Sequence, residues 1–302
     1  VPGPPNLFNK IYANVGTMRN QGFEFDLTFN PIRRDKFNWD ITVVGATSDN
    51  KFISFSNDLY QGQSYYSTCT MENPNNPGSL QRIEEGQRVG NYYTYRYAGV
   101  DNSGDWLIFD KNNNVIPIAQ GTDEDKTIIG DPNPKFTYGF NTSFIYKNFS
   151  LNATFTGVQG IQIVNGNLMA ENDVNPANPG QNINNIRAAA FYNAWTPENT
   201  DTNYPRLRST TNAGDFTDRL IEDGSYLRLS NVTLGYTLNF ERVKWIESLN
   251  INVTARNPIV FTKYSGWDPD VSSYTNDSKR VGVDWGSYPS SRAYVLGLVL
   301  TF

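Results

Sequence analysis

Histidine is absent from the 302 residues of this chain, and cysteine occurs once. Without histidine the chain cannot form a Ser-His-Asp triad, use an imidazole as a general base, or build a zinc site that depends on histidine ligands. Cys69 has no second cysteine with which to form a disulfide bond within the chain. We therefore expect no catalytic residue, no metal ligand and no cofactor, and a protein that is not an enzyme.

Long apolar runs and basic blocks are also missing. No run of 18 apolar residues occurs, which excludes a transmembrane helix, whereas a transmembrane strand needs only every second residue to be apolar. The formal net charge is −5, which argues against a nucleic-acid partner. Aromatic residues make up 14% of the chain, a share that suits both the girdles of membrane strands and surfaces that stack on sugars.

What the chain does contain is a series of segments in which apolar and polar residues alternate. In the last of them, Tyr294, Leu296, Leu298, Leu300 and Phe302 share one parity. A period of two is that of a β-strand whose side chains point to opposite faces. Six more segments alternate in the same way, at 23–29, 37–43, 136–146, 149–155, 232–240 and 249–255. The sequence therefore predicts seven strands, each with an apolar and a polar face.

The connections between these strands alternate between short and long. The short ones lie at 30–36, 147–148 and 241–247, and the long ones run over 51–134, 159–225 and 261–290. Outer-membrane barrels have short periplasmic turns and long extracellular loops. A soluble sandwich also alternates along its strands, but it has no reason to sort loops by length. The prediction is an all-β, antiparallel transmembrane β-barrel, with a secreted or surface β-sandwich that binds carbohydrate as the alternative.

The predicted strand number is odd, whereas bacterial single-chain barrels have an even number of strands. Seven strands therefore cannot make a whole barrel. We expect residues 1–302 to form the C-terminal segment of a barrel that is incomplete in this chain.

A set of motifs follows in order along nearly the whole chain. The first is Asn14-Val15-Gly16-Thr17-Met18-Arg19-Asn20-Gln21-Gly22-Phe23-Glu24. The others lie at 92–101, 129–140, 195–206, 225–236, 256–270 and 288–292. The ordered set resembles the SusC/RagA family of TonB-dependent outer-membrane transporters of Bacteroidetes. The family usually has Glu after Asp-Pro, where this chain has Asp270.

The resemblance implies active import of glycans or peptides through the bacterial outer membrane, together with a SusD-like surface lipoprotein. This chain would supply wall strands and extracellular loops of a roughly 22-stranded, multi-pass barrel. The resemblance further implies that coupling to TonB, ExbB and ExbD runs through the family's plug and N-terminal domains, which are absent from the chain. The resemblance also implies contact with lipid and lipopolysaccharide, and assembly by the barrel assembly machinery.

Aromatic residues of the long loops are the candidate contacts. A flat ring presents an apolar face to sugar C–H groups, although rings also bury loops, since tyrosine carries a polar tip. The residues predicted to touch substrate or lipoprotein are Tyr93, Tyr95, Trp106, Trp195, Trp267 and Trp285. Phe302 is predicted to be an assembly signal, because the assembly machinery commonly recognises a last strand that ends in an aromatic residue.

Charged residues on the polar faces would be costly against lipid, so Glu24, Asp26, Asp40 and Arg256 are predicted to face the interior. We interpret them as a salt-bridge lattice that braces the wall or contacts the plug. Arg228 has the parity of the apolar face. It therefore lies above the membrane core, or follows a bulge that shifts the parity.

Asp101, Ser103 and Asp105 resemble the start of a calcium loop. The later glycine and bidentate glutamate of such a loop are not in register. Because aspartate and serine also form tight turns, we interpret this segment as a turn.

Overall fold

The computed structural model describes residues 16–55, 64–71, 77–170, 187–207, 216–242, 245–270, 272–273 and 281–302. Asn14 and Val15, which open the first motif, lie outside this part of the chain. Within it, no helix combines the length and the apolar character needed to cross a membrane. The strands of the described residues are numbered in chain order from β1 to β19.

Seven strands form one antiparallel sheet, which we call the wall. They are β2 (Glu24–Arg34), β3 (Phe37–Ala46), β12 (Phe136–Tyr146), β13 (Phe149–Gln159), β16 (Tyr226–Asn239), β17 (Ser248–Thr262) and β19 (Ala293–Thr301). Their order in the sheet follows the chain, from β2 and β3 through β12, β13, β16 and β17 to β19. All seven predicted strands are confirmed, and so is the alternation of short and long connections.

The register of the wall gathers the apolar side chains on one face. Leu151 lies opposite Leu234, Leu234 opposite Val253, and Val253 opposite Leu296. This apolar face is exposed: Leu234 is 54% and Leu296 68% accessible to solvent. Within the described residues no second sheet covers it. The wall is therefore a single layer, unlike the two packed layers of a sandwich.

The other face of the wall, the inner face, carries a ladder of hydroxyl and amide groups. The hydroxyls of Thr233 and Thr254 are 2.8 Å apart, and Asn250 donates from Nδ2 to Thr237 at 3.0 Å. Threonine and asparagine are suited to this surface, because cross-strand neighbours are close enough for their side chains to bond each other.

A β-bulge at Ser230 interrupts the register of β16. Asn231 pairs with Thr154 of β13, but the next pair is Leu229 with Phe155. One extra residue moves the side chains beyond the bulge, toward the start of β16, to the face opposite the one that unbroken alternation predicts. Arg228 pairs with Thr156 of β13, and both side chains consequently lie on the inner face. The bulge predicted from the parity of Arg228 is confirmed.

A ribbon extends the wall beyond β2 and β3. It consists of β1 (Gly16–Gln21) and β4 (Asp49–Phe55), which pair with each other. At the junction, the Thr47 N–H donates to the Phe23 carbonyl at 2.8 Å. The ribbon therefore continues the hairpin of β2 and β3.

The long connections contain three small sheets and short helices. One sheet has β5 (Tyr65–Met71), β6 (Gly78–Glu84), β7 (Asn91–Thr94) and β11 (Thr127–Gly130). Another has β8 (Arg96–Val100), β9 (Trp106–Phe109) and β10 (Val115–Pro117). The third has β14 (Gln162–Asn165), β15 (Ile221–Asp223) and β18 (Val283–Asp284). The helices are α1 (Ala188–Asn193) and the 3-10 turns Ile118–Gln120, Asp123–Asp125, Gly166–Ala170 and Asp218–Leu220.

The main cluster of buried apolar residues lies in these connections and not in the wall. The first long connection contributes Leu80 and Tyr92, the second Val164 and Leu220, and the third Val283, each 0% exposed. We call this assembly of the three long connections the loop body. Because its members come from all three connections, the loops fold together as one unit.

Candidate functional site

Tyr92 ties the three connections of the loop body together. Its hydroxyl donates to the carbonyl oxygens of Gln162, at 3.0 Å, and of Gly282, at 2.7 Å. Burial raises the pKa of this phenol well above its ordinary value. The hydroxyl is a donor at neutral pH, and carbonyls of two different connections share its single proton.

A second link joins the second and third connections through carboxylates. Glu222 accepts hydrogen bonds from the backbone N–H and the hydroxyl of Ser265, each at 2.7 Å, and from Asn165 at 2.9 Å. Nearby, the hydroxyl of Tyr264 donates to Asp284 at 2.7 Å. Burial, and then this hydrogen bond, raise the pKa of Tyr264. The loops are thus fixed by directional bonds as well as by apolar packing.

Arg228 and Asp268 latch the third connection to the wall. Arg228 Nη2 lies 2.5 Å from Asp268 Oδ1, and the two side chains are 7% and 5% exposed. Asp268 also accepts from the backbone N–H groups of Asp270 and Ser290 at 3.0 and 2.9 Å. Burial alone would raise the pKa of Asp268, but the bonds from Arg228 and the two N–H groups outweigh it and lower the pKa.

An open groove of about 820 Å³ lies on the inner face, near the end of the wall that carries the loop body. Small side chains such as Ala46 and Gly139 line it, together with Tyr226 and the carboxylates of Glu24 and Asp26. On the opposite, apolar face of the same strands, the ring of Phe25 covers Gly45, where a Cβ atom would come within 2.5 Å of the ring. The groove combines width with hydrogen-bonding groups, which suits a polar, elongated ligand.

The salt-bridge lattice predicted for the inner face is not seen. Glu24, Asp26 and Arg256 form no ion pair with any residue that the structure describes. Asp40 accepts a hydrogen bond from the amide of Asn30 and has no cationic partner there either. The prediction of a braced wall is therefore wrong for the described part, because three of the four residues are carboxylates and the one cation, Arg256 of β17, is separated from β2 and β3 by at least three strands. Their polar groups are left available.

Three of the six predicted contact aromatics belong to the packing of the loop body. Trp106 is 4% exposed, and its ring meets that of Tyr97 edge-on at 5.9 Å. Trp195 is half-buried and packs on Gly104. Trp285 packs, partly buried, against the apolar cluster. For these three residues, the alternative that loop aromatics serve to bury the loops is therefore the one that the structure supports.

The other three predicted contacts differ in their surroundings. Tyr93 stacks against the guanidinium of Arg82, whose carbon lies 3.5 Å from the ring centroid. The ring of Tyr95 lies 5.2 Å from the ammonium of Lys126. Trp267 is 82% exposed and so remains available for contact. The structure therefore does not gather the six into one platform.

Residues that sequence reasoning did not select also line the surface of the loop body. Tyr288 is 90% exposed. It lines, with Trp285, Asp270 and several serines, a second cavity of about 460 Å³. Tyr192 of α1 is 78% exposed. The only sequence signal for them was aromatic character in a long loop, which does not separate exposed rings from buried ones.

Phe302 follows β19 and is 80% exposed. Its role as an assembly signal stays a prediction. The turn interpretation of residues 101–105 is confirmed, because Asp101 accepts hydrogen bonds from the backbone N–H groups of Ser103 and Asp105, each at 2.8 Å.

Comparison with known proteins gives a consistent picture. No family model matches the chain. TonB-dependent receptor P3 of Formosa agariphila is 31% identical over 315 residues, which cover 96% of this chain and 29% of that protein. TonB-dependent receptor SusC of Bacteroides thetaiotaomicron is 24% identical over 308 residues, covering 100% of this chain and 28% of SusC. The chain thus spans less than a third of the length of these relatives.

Solved structures agree. The structure of the RagAB peptide transporter superposes with a TM-score of 0.76 at 25% identity, covering 95% of this chain and 29% of that one. The same importer in its closed-closed state gives 0.75 at 26% identity. The fold of the wall and the loop body and these likenesses are those of the TonB-dependent receptors. Within that class, the chain belongs to the SusC/RagA family.

Proposed function

We propose that the protein containing this chain imports an oligomeric nutrient, a peptide or a glycan, across the bacterial outer membrane by TonB-dependent transport. In this proposal residues 1–302 are the C-terminal segment of the barrel, and they supply wall strands and extracellular loops. The observation that carries the proposal is the two-faced wall: an exposed apolar face on one side and a polar ladder with a groove on the other.

The apolar face fits lipid. Exposed side chains such as Leu298, 65% accessible, would each lose their contact with water in a bilayer. Burial of a leucine-sized side chain is worth about 1.5–3 kcal/mol. A face of this size on a water-soluble protein would be an aggregation hazard. The β-sandwich alternative needs a second layer over this face, and none exists in the described residues, so the barrel wall is the better proposal.

The inner face fits the path of a polar ligand. Peptides and oligosaccharides both carry many hydroxyl or amide groups, which the Thr, Asn and Ser ladder can bond one after another. Glu24 and Asp26 add acceptors at the groove. Because both carboxylates are without an ionic partner in the described part, they can bind a ligand or the plug without first breaking an ion pair.

The loop body fits a docking surface for the SusD-like lipoprotein. Its buried cluster and the Tyr92 bonds hold it in one shape before a partner arrives, which lowers the entropy lost on binding. Exposed Trp267, Tyr192 and Tyr288 are rings of the kind enriched at protein interfaces. Coupling to TonB, ExbB and ExbD would be carried by the rest of the roughly 22-stranded protein.

The test uses the full-length protein in its host and a matched pair of variants on one strand. Thr156→Trp places a large ring in the groove, whereas Leu151→Trp places the same ring on the apolar face. We expect uptake of labelled peptides or oligosaccharides to fall for Thr156→Trp alone, with both variants present in the outer membrane. Uptake that is independent of TonB, or equally reduced by both variants, would contradict the proposal.

A further inference from the structure

The apolar face of the wall, which is its outer face in the proposed barrel, continues without a break onto the ribbon. Phe25 lies opposite Gly45, and further along the same hairpin Gln21 lies opposite Asp49 and Arg19 opposite Lys51. In all three pairs the two residue numbers add up to the same value, so the antiparallel register of the hairpin continues unchanged through the junction. Side chains two apart share a face. Arg19 and Lys51 therefore stand in line with the apolar side chains of the wall.

The chemistry of this face changes abruptly at the junction. Below it, the ring of Phe25 stacks on that of Phe136 at 6.5 Å, and Phe136 stacks on Tyr138 at 5.5 Å. Phe23, which is 68% exposed, is the last aromatic residue of the series. Aromatic rings are enriched where a bilayer meets water. In the proposed barrel, this cluster marks the outer edge of the lipid.

Cationic groups lie directly beyond that edge. Arg19 and Lys51 face each other across the ribbon, an arrangement of like charges that destabilises a strand pair unless an anion lies nearby. Lys135, which immediately precedes Phe136, lines an open pocket of about 620 Å³ with Phe23, Asp49 and Arg88. Three basic side chains thus border the same aromatic cluster, Arg19 from β1, Lys51 from β4 and Lys135 from the residue before β12.

The carboxylates nearby do not neutralise these three cations. Arg88 forms ion pairs with Asp131 at 3.1 Å and with Asp49 at 3.4 Å. The ammonium of Lys51 is left with Asp49 at 3.9 Å. Neither Arg19 nor Lys135 forms an ion pair with any residue that the structure describes. The patch therefore carries a net positive charge.

We propose that Arg19, Lys51 and Lys135 bind the phosphorylated headgroup of a lipid in the outer leaflet, with its acyl chains lying along the rings of Phe25 and Phe136. This inference rests on the proposed function, since it requires the wall to sit in the outer membrane. The occupant follows from charge and position: an anionic group placed where an apolar surface ends. Free phosphate lacks the apolar part and would not be retained.

The experiment measures lipid bound to the full-length protein after extraction in detergent. Native mass spectrometry counts phosphorylated lipid per protein for the parent and for the triple variant Arg19→Gln, Lys51→Gln, Lys135→Gln. A basic side chain at an anionic lipid surface changes association by about fivefold. We expect the triple variant to retain at least roughly tenfold less lipid, and the loss to be smaller at high salt.

Matched variants separate the site from net charge and from folding. Lys111→Gln, Lys126→Gln and Arg206→Gln remove the same charge from the loop body, where each cation has a carboxylate partner. This control should retain lipid like the parent, and Lys135→Arg should do so as well. Added lipid A should raise the unfolding temperature of the parent more than that of the triple variant, whereas inorganic phosphate should change neither.

Three results would overturn the proposal. They are equal lipid retention by the parent and the triple variant, an equal loss in the control, and stabilisation of the parent by inorganic phosphate alone. If the parent protein does not fractionate with the outer membrane at all, the proposed function fails and the lipid site fails with it. That outcome is read from the membrane fraction, before any lipid is counted.

Discussion

The latch between Arg228 and Asp268 provides the most local test of how the loops are held. In Asp268→Asn the side chain keeps its size but has one oxygen instead of two, so it can still accept from the N–H group of Asp270 or from that of Ser290, but not from both. It loses the charge that faces Arg228 at 2.5 Å, in a pair whose side chains are 7% and 5% exposed. The guanidinium would then be a buried charge without its main partner.

The expected cost follows from that burial. Removal of one partner of a buried ion pair costs about 3–5 kcal/mol, because the remaining charge is left uncompensated. Since the amide oxygen still accepts one of the two backbone hydrogen bonds, we expect the lower end, about 3 kcal/mol. That corresponds to a change of roughly a hundredfold in the equilibrium for release of the third connection from the wall.

Hydrogen exchange of the Asp270 and Ser290 N–H groups in the full-length protein measures this release, because the amide can keep one of their two bonds, whereas release of the connection exposes both N–H groups. The matched control is Asp270→Asn. Asp270 lies 3.9 Å from Arg228 and its side chain is 56% exposed, so its loss should cost about 0–1 kcal/mol. Equal exchange rates in the two variants would refute the latch.

Three further predictions concern the same loops. The pKa of Asp268 is lowered in the fold, so its ionised form contributes to stability fully above the ordinary carboxyl pKa near 4. That contribution is lost as the pH falls through the lowered pKa of the folded state. Exchange of the Ser290 N–H, corrected for its intrinsic rate, should therefore rise only below about pH 4. Tyr92→Phe removes the donor that the carbonyls of Gln162 and Gly282 share, although Gly282 keeps its bond from the Val164 N–H, and the resulting loss of about 1 kcal/mol should appear as faster proteolysis of the loop body. Gly282→Ala should loosen the same contact, because its φ is +78° and a Cβ atom would meet the Tyr92 hydroxyl at 2.2 Å; a crystal structure or exchange data showing an unchanged Tyr92 would contradict this.

The wall was predictable from the sequence because its contacts are nearly local. Strand neighbours such as β12 and β13 are joined by two residues, and their period of two fixes which side chains share a face. Even the bulge at Ser230 could be inferred, since Arg228 carried a charge on the wrong parity. The local pattern and the cross-strand register therefore agree along the whole sheet.

The loop body was not predictable because its contacts are distant in sequence. Gln81 donates to the carbonyl oxygen of Val281, 200 residues away, and no local pattern specifies such a pair. The same limit explains the aromatic candidates. Trp106 and Trp267 are the same residue type in similar polar segments, yet one is 4% and the other 82% exposed. Burial there depends on which distant segment packs over the ring.

The assembled yield of two arginine variants tests the central claim, that one face of the wall meets lipid, most directly. Leu234 and Thr233 are adjacent on β16 and project to opposite faces. Leu234→Arg should cost about 2–4 kcal/mol if the side chain lies near the middle of the bilayer, and Thr233→Arg much less, because it faces a polar interior. The measurement is the heat-modifiable folded fraction of the full-length protein in outer membranes. We predict a large loss for Leu234→Arg and a small one for Thr233→Arg. Equal losses for the two variants would contradict a wall with one lipid-facing side.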